Sequence, residues 1–364
     1  MRNERTNTVG RARRLFSDSL LARRRLTAVV ALAVLAAGSM TACSQPVPQV
    51  APPPKPADPP AVVQGPQIDR ILQSLSADLE KAAAEGTADA LTGRMGGAAL
   101  VMAQAQYAAK AASPDEKLAF ELGTTFADRQ IVARSQVWPR SFVVATDAAE
   151  TEAPFIYQIE QADARSPYKV VLWARLLAGA TIPATSVTGV GSDVVDPGSE
   201  DLLATPIAAV QAYAAAKDNS GGEEAKLFDT APVDGVDPDP VRARWGALIE
   251  SFRGGVTAHP GGALTSSSIL VEGSVSALAT SDFGALVFGQ VKSVVEMSFT
   301  PDEGRLVNIQ RQGYKGLGAA TLEMSQSARV EHLQTVVLAV PPEGADGPIR
   351  VIAVADLPTV VEVK

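Results

Sequence analysis

Cysteine is nearly absent: Cys43 is the only one in 364 residues. No internal disulfide is available, and cysteine-based metal sites are excluded. Histidine is almost as scarce, with only His259 and His332, which argues against a His-rich metal site. Aromatic residues make up 5% of the chain, so its cores must be built from Val, Leu, Ile and Ala. Catalytic signatures are missing too. There is no Gly-x-Ser-x-Gly nucleophile elbow, no His-Glu-x-x-His zinc motif and no P-loop. Neither a cofactor nor a metal is expected, and the balance falls against an enzyme.

Positive charge is lacking where nucleic acid would need it. Residues 1–42 carry eight Arg against Glu4 and Asp18; removing their net +6 from the whole-chain −8 leaves −14 on the rest. A body that acidic repels nucleic acid and bare anionic lipid, so no nucleic-acid partner is expected. The acids are scattered and read as solubility.

The N-terminal stretch has a charged region, a short apolar run and small residues at its end, as a cleaved export signal does. Arg11, Arg13, Arg14, Arg23, Arg24 and Arg25 precede residues 26–37 (LTAVVALAVLAA). A helix of that length spans about 18 Å, short of the ~30 Å of bilayer hydrocarbon. The basic side stays cytoplasmic. Arg23-Arg24-Arg25-Leu26-Thr27 is an incomplete twin-arginine pattern, and ordinary secretion fits better. Met40, Thr41 and Ala42 then lead into Cys43. Small residues before a Cys resemble the bacterial lipobox, with Met40 standing where Leu is usual. That resemblance implies a diacylglycerol on Cys43 and a chain held on the extracytoplasmic face of the cell membrane. Two acyl chains anchor firmly, at about 0.8 kcal/mol per buried CH₂.

Nine of residues 44–66 are Pro, which predicts an extended tether over 43–66. At about 3.1 Å per residue it reaches roughly 70 Å.

Beyond the tether, helices then strands recur twice. In the first half, Ile68, Ile71, Leu72, Leu75 and Leu79 share one helical face over 67–84. A second helical stretch, 88–112, is broken by Gly93, Gly96 and Gly97. Strand character follows at 141–146, 154–160 and 168–178. The second half repeats this, with helices over 202–217 and 241–252, then strands at 269–276, 285–299, 330–340 and 349–354. A Gly/Asp/Pro-rich joint, 187–200, separates the halves. Helices followed by consecutive strands indicate α+β with antiparallel sheet. The expected organisation is a signal peptide (1–42), the lipidated tether (43–66) and two similar domains (67–190 and 191–364).

Paired helices leading into a curved antiparallel sheet resemble the NTF2-like cone. The whole chain is similar to a group of uncharacterised actinobacterial lipoproteins, on residues 71–86 with 98–107, 282–289 (DFGALVFG), 336–342 and 349–353. The resemblance implies two tandem NTF2-like domains and a lipid-anchored address, and no activity.

Individual residues add little. His259, flanked by Pro260 and Gly261, reads as a loop residue, and His332 as a strand residue. Gly313–Gly318 reads as a flexible loop rather than an anion cradle. Tyr157 alternates with Phe155 and Ile159, so it should face the core with its hydroxyl on backbone. Trp173 and Trp245 read as core, whereas Trp138 is a candidate for a pocket mouth.

The function these features favour is a membrane-anchored, non-catalytic interaction or assembly module. Its expected partners are the membrane, through the lipid, and other envelope proteins. One alternative is a carrier of lipid or another apolar small molecule in a cone-shaped hollow, which predicts a large apolar cavity. The other is an isomerase- or hydrolase-type enzyme, which predicts convergent polar groups around a perturbed carboxylate or His.

Overall fold

In the computed structural model, residues 59–147, 153–185, 191–229, 237–301 and 305–364 are described. The leader, the lipobox residues Met40, Thr41 and Ala42, and Cys43 lie outside them.

Helix α1 (Gly65–Glu85) forms where the periodicity places it, burying Ile68, Ile71, Leu72, Leu75 and Leu79. Gly86 ends it at φ 67°, donating its N–H to the Ala82 carbonyl; glycine adopts that left-handed cap without a Cβ penalty. A short 3₁₀ turn, Asp89–Gly93, leads to α2 (Gly97–Ala112). Four strands follow as an antiparallel meander: β1 (Phe126–Arg134), β2 (Arg140–Thr146), β3 (Phe155–Gln161) and β4 (Lys169–Leu176). Next come β5 (Ser192–Val195), α3 (Pro206–Asp218) and α4 (Pro240–Thr257). Strands β6 (Ala263–Leu270), β7 (Ser276–Ala279) and β8 (Ala285–Ser298) precede a small ribbon of β9 (Val307–Asn308) and β10 (Glu323–Met324). Two long strands, β11 (Ser327–Val340) and β12 (Arg350–Val363), finish the chain.

The strands of both halves form one closed ring, which corrects the expectation of two NTF2-like α+β cones. Its order is β11-β12-β4-β3-β2-β1-β5-β7-β8, and β8 returns to β11 over its whole length, giving a nine-stranded mixed barrel. Strand β6 pairs with β8 beyond β7. Two junctions make the closure. Strand β12 turns from β11 onto β4 at Ala353↔Leu176. Strand β5, inside the stretch read as a joint, runs parallel to β1 at Ala133↔Ser192 and antiparallel to β7 at Val194↔Leu278. Ring closure removes sheet edges that separate half-sheets would leave unpaired. Periodicity along a chain reports which face is buried, not which edge is paired, so the sequence pattern could not distinguish the two arrangements.

Alternation on the long strands separates the two faces of the barrel wall. Leu286 and Phe288 of β8, with Val337 and Ala339 of β11, join the cluster that contains α1, α2 and β2–β4. Their neighbours Ala285, Val287, Val336, Leu338 and Val340 pack instead against α3. Within the first cluster Trp173 is fully buried and donates Nε1 to the Ala99 carbonyl of α2 at 3.2 Å. Gln158 of β3 reaches Ser276 of the non-adjacent β7 at 2.6 Å, bonding across the ring. Helix α3 lies so close to β8 that a Cβ on Gly289 would stand 2.6 Å from a Val210 methyl. Helix α4 covers the far end, where Trp245, Ile249, Phe252 and Val256 meet Val295, Met297, Val330 and Val361.

The end of the Pro-rich stretch belongs to this body. Val62 and Val63 are buried, Val62 N–H donates to the Ala133 carbonyl at 3.0 Å, and the Tyr168 hydroxyl donates to the Val62 carbonyl at 3.3 Å. No helix of the described residues is long and apolar enough to cross a membrane.

Candidate functional site

On the wall face that α3 and α4 cover, the apolar row of β11 is interrupted by His332 and Gln334, and Asp356 of β12 pairs opposite Gln334. Burying such groups is costly unless each finds a partner. Lys217, in the last turn of α3, supplies the first one. Its side chain has no exposed surface, and its Nζ donates to Asp356 Oδ2 at 2.6 Å and to Gln334 Oε1 at 3.0 Å. The same ammonium lies 4.1 Å from the ring centroid of Trp245 on α4, a cation–π contact.

The network extends both ways. His332 Nδ1 is 2.8 Å from Asp356 Oδ1, and the Tyr314 hydroxyl is 3.3 Å from His332 Nε2. Facing a carboxylate, Nδ1 donates to Asp356, and the Tyr314 hydroxyl hydrogen-bonds the other ring nitrogen. On the other side Gln334 Nε2 donates to the Tyr213 hydroxyl at 2.9 Å, and Tyr213 faces Asp239. Burial alone would push the Asp356 carboxyl up, but Lys217 and His332 outweigh it and hold it well below the usual carboxylate range. Burial pushes the Tyr213 hydroxyl far up, reinforced by Asp239 and Asp356. It also raises Asp239, against the opposing pull of Arg242.

Beside this network opens a cleft of about 560 Å³, lined by Lys217, Asp239, Arg242, Trp245, Glu250 and Arg253 among others. Asp239 is the N-cap of α4, and its Oδ1 accepts from Arg242 N–H at 3.1 Å. Its Oδ2 makes no hydrogen bond of good geometry among the described residues, with Arg242 Nε 3.7 Å away and the Tyr213 hydroxyl near enough to draw the carboxyl's pKa down. Arg242 Nη1 and Trp245 Nε1 are also buried without hydrogen-bond partners. Buried polar atoms are nearly always paired. Three unpaired ones lie within residues 239–245, on the wall of one cleft.

The network's groups are bonded to one another. Both nitrogens of His332 are engaged, and Asp356 accepts from two donors. Lys217 is enclosed between Asp356, Gln334 and Trp245. Of these groups Lys217 and Trp245 line the cleft, and the others lie behind them.

Of the residues weighed from sequence, His332, Trp245 and Tyr314 of the 313–318 loop enter this site. His259 stacks on Phe299 with ring centroids 4.9 Å apart, and it does not line the cleft. Tyr157 is fully buried with its hydroxyl on the Gly123 carbonyl at 3.2 Å, as its alternation predicts. The 313–318 loop is packed rather than loose: Tyr314 is buried, and a Cβ on Gly316 would stand 2.6 Å from the Ala108 carbonyl of α2. Trp138 lies half-buried under the Arg140 guanidinium at 4.3 Å. Sequence reasoning passed over Lys217, Asp239, Arg242, Gln334 and Asp356. One signal was present: Asp356 is the lone charge in the apolar run 351–357 (VIAVADL), and His332 and Gln334 share a face in a strand otherwise apolar there.

Comparison with protein-family models, curated proteins and solved structures gives no match. The functional reading therefore rests on this chain's own geometry.

Proposed function

We propose that this chain is a lipid-anchored binding protein of the extracytoplasmic membrane face, non-catalytic, which holds its ligand in the α3/α4 cleft. The observation that carries the reading is the set of three buried, unpartnered polar atoms on Asp239, Arg242 and Trp245 beside the 560 Å³ cleft. That volume falls within the roughly 300–1,000 Å³ of small-molecule sites. The address is supported by the export-type leader and by the lone Cys behind Met40, Thr41 and Ala42.

An apolar cargo fits less well. The barrel interior belongs to a continuous apolar cluster, and the clefts of about 450, 560 and 430 Å³ are lined by residues outside it, charged ones among them.

Three measurements test the proposal. Native mass spectrometry of the mature chain purified from membranes should show a polar small molecule that leaves on denaturation. Labelled palmitate should enter the wild type and not Cys43→Ala. If the chain carries no adduct and Trp245→Phe is simply more stable by about 1–3 kcal/mol, the cost of an unpaired buried donor, the cleft is unoccupied in nature and the binding reading fails.

A further inference from the structure

Most of the charges around the cleft are already paired. Arg242 faces Asp239 at 3.7 Å, and Arg253 meets Glu250 at 3.2 Å. Lys217 is neutralised by Asp356. Asp218 accepts from the backbone N–H and the hydroxyl of Ser268, and Asp237 accepts from Asp239 N–H at 2.8 Å. An anionic ligand entering here meets the Asp218, Asp237 and Glu250 carboxylates, and a cationic one meets Arg242, Arg253 and Lys217. An anionic ligand gains no unmatched cation and a cationic one gains only Asp218 and Asp237, already hydrogen-bonded, and each must be stripped of water to enter.

What the wall leaves unmatched is one acceptor, Asp239 Oδ2, and two donors, Arg242 Nη1 and Trp245 Nε1. A hydroxyl is the group that satisfies both kinds, since it donates one hydrogen and accepts on two lone pairs. Ser220 and Ser266 add further hydroxyl partners at the rim. The Trp245 ring is already occupied, with Lys217 over it and His332 edge-on at 5.2 Å, so flat aromatic ligands have no face to stack on there. Asp239 and Trp245 are almost fully buried, and Arg242, with 11% of its side chain exposed, lies over Asp239. Turning that guanidinium outward uncovers the carboxylate and lets one hydroxyl bridge Asp239 and Arg242.

We infer that the cleft takes a neutral, hydroxyl-rich ligand of the carbohydrate class; this rests on the binding reading above. The test follows the Trp245 indole N–H in nitrogen-15 spectra of the mature chain in detergent, assigned by its loss in Trp245→Phe. Glucose, N-acetylglucosamine and maltose are titrated to millimolar concentrations, with inorganic phosphate and spermidine as charged probes. A saturable shift is expected with at least one saccharide and with neither charged probe. Asp239→Asn, which keeps a capping side chain, should weaken that saccharide by about tenfold or more, as loss of a hydrogen bond to a charged group does. A shift with phosphate or spermidine and none with a saccharide overturns the ligand class and leaves the cleft as a binding site. No shift with any probe also overturns the class, and the binding reading falls with it only if the membrane-purified chain carries no adduct.

Discussion

Lys217→Met removes an ammonium that has no exposed side-chain surface and two hydrogen bonds, to Asp356 and Gln334. The methionine fills much of the same volume, so the main loss is electrostatic. Asp356 is left buried as a carboxylate with His332 as its remaining side-chain partner, and Gln334 loses a donor. Breaking a buried pair from one side costs about 3–5 kcal/mol. The 12% exposure of the Asp356 side chain admits some water and places the expected loss near the lower end, about 3 kcal/mol. Urea unfolding followed by circular dichroism reads this directly, without using the fluorescence of Trp245. Adding Asp356→Asn removes the stranded charge and should restore about half of the loss, since much of it is the uncompensated carboxylate rather than the bond itself. The pH dependence has a defined sign. The folded carboxyl is held below its unfolded value of about 4, so its contribution is fully present above that pH and is lost as pH falls through the folded value. Wild type should therefore lose stability on acidification below about pH 4 more steeply than Asp356→Asn. A Lys217→Met loss under about 1 kcal/mol, the range of exposed pairs, would refute the claim that this ion pair is enclosed.

The remaining predictions concern the barrel and its turns. Backbone amides of β5, Ser192–Val195, should be protected from hydrogen exchange by their pairing with β1 and β7; exchange at loop rates would mean that the ring is open there. Gly289→Ala places a methyl 2.6 Å from Val210 and should cost about 1–3 kcal/mol in thermal or urea unfolding. Val210→Ala in the same chain should recover part of that, and an unchanged cost would show that α3 does not press on β8 at this point. Phe283 sits at φ 66° with 87% of its surface exposed. Phe283→Asn should raise stability by about 1 kcal/mol, because asparagine tolerates the left-handed region and no packing is lost.

The local periods of the sequence were enough for much of the secondary structure. The spacing of Ile68, Ile71, Leu72, Leu75 and Leu79 specifies α1, the apolar run 330–340 lies within β11, and 349–354 overlaps the start of β12. Strand β5 escaped because four residues among Gly, Asp and Pro carry no usable period, and β1 because FADRQIVAR does not alternate cleanly. The proposal of an export leader and a lipidated Cys43 rests on linear sequence alone, the form in which such signals are read. Ring closure is a different kind of fact. It depends on which unpaired edges meet, as at Ala133↔Ser192 and Ala353↔Leu176, and backbone hydrogen bonding there is indifferent to side-chain identity. The candidate site is non-local in the same way. Lys217, Tyr314, His332 and Asp356 come from a helix, a loop and two strands, and each looks ordinary in its own segment. Only the packing of α3 and α4 on one face of the barrel wall brings their charges into contact and leaves Asp239, Arg242 and Trp245 with bonds unmade.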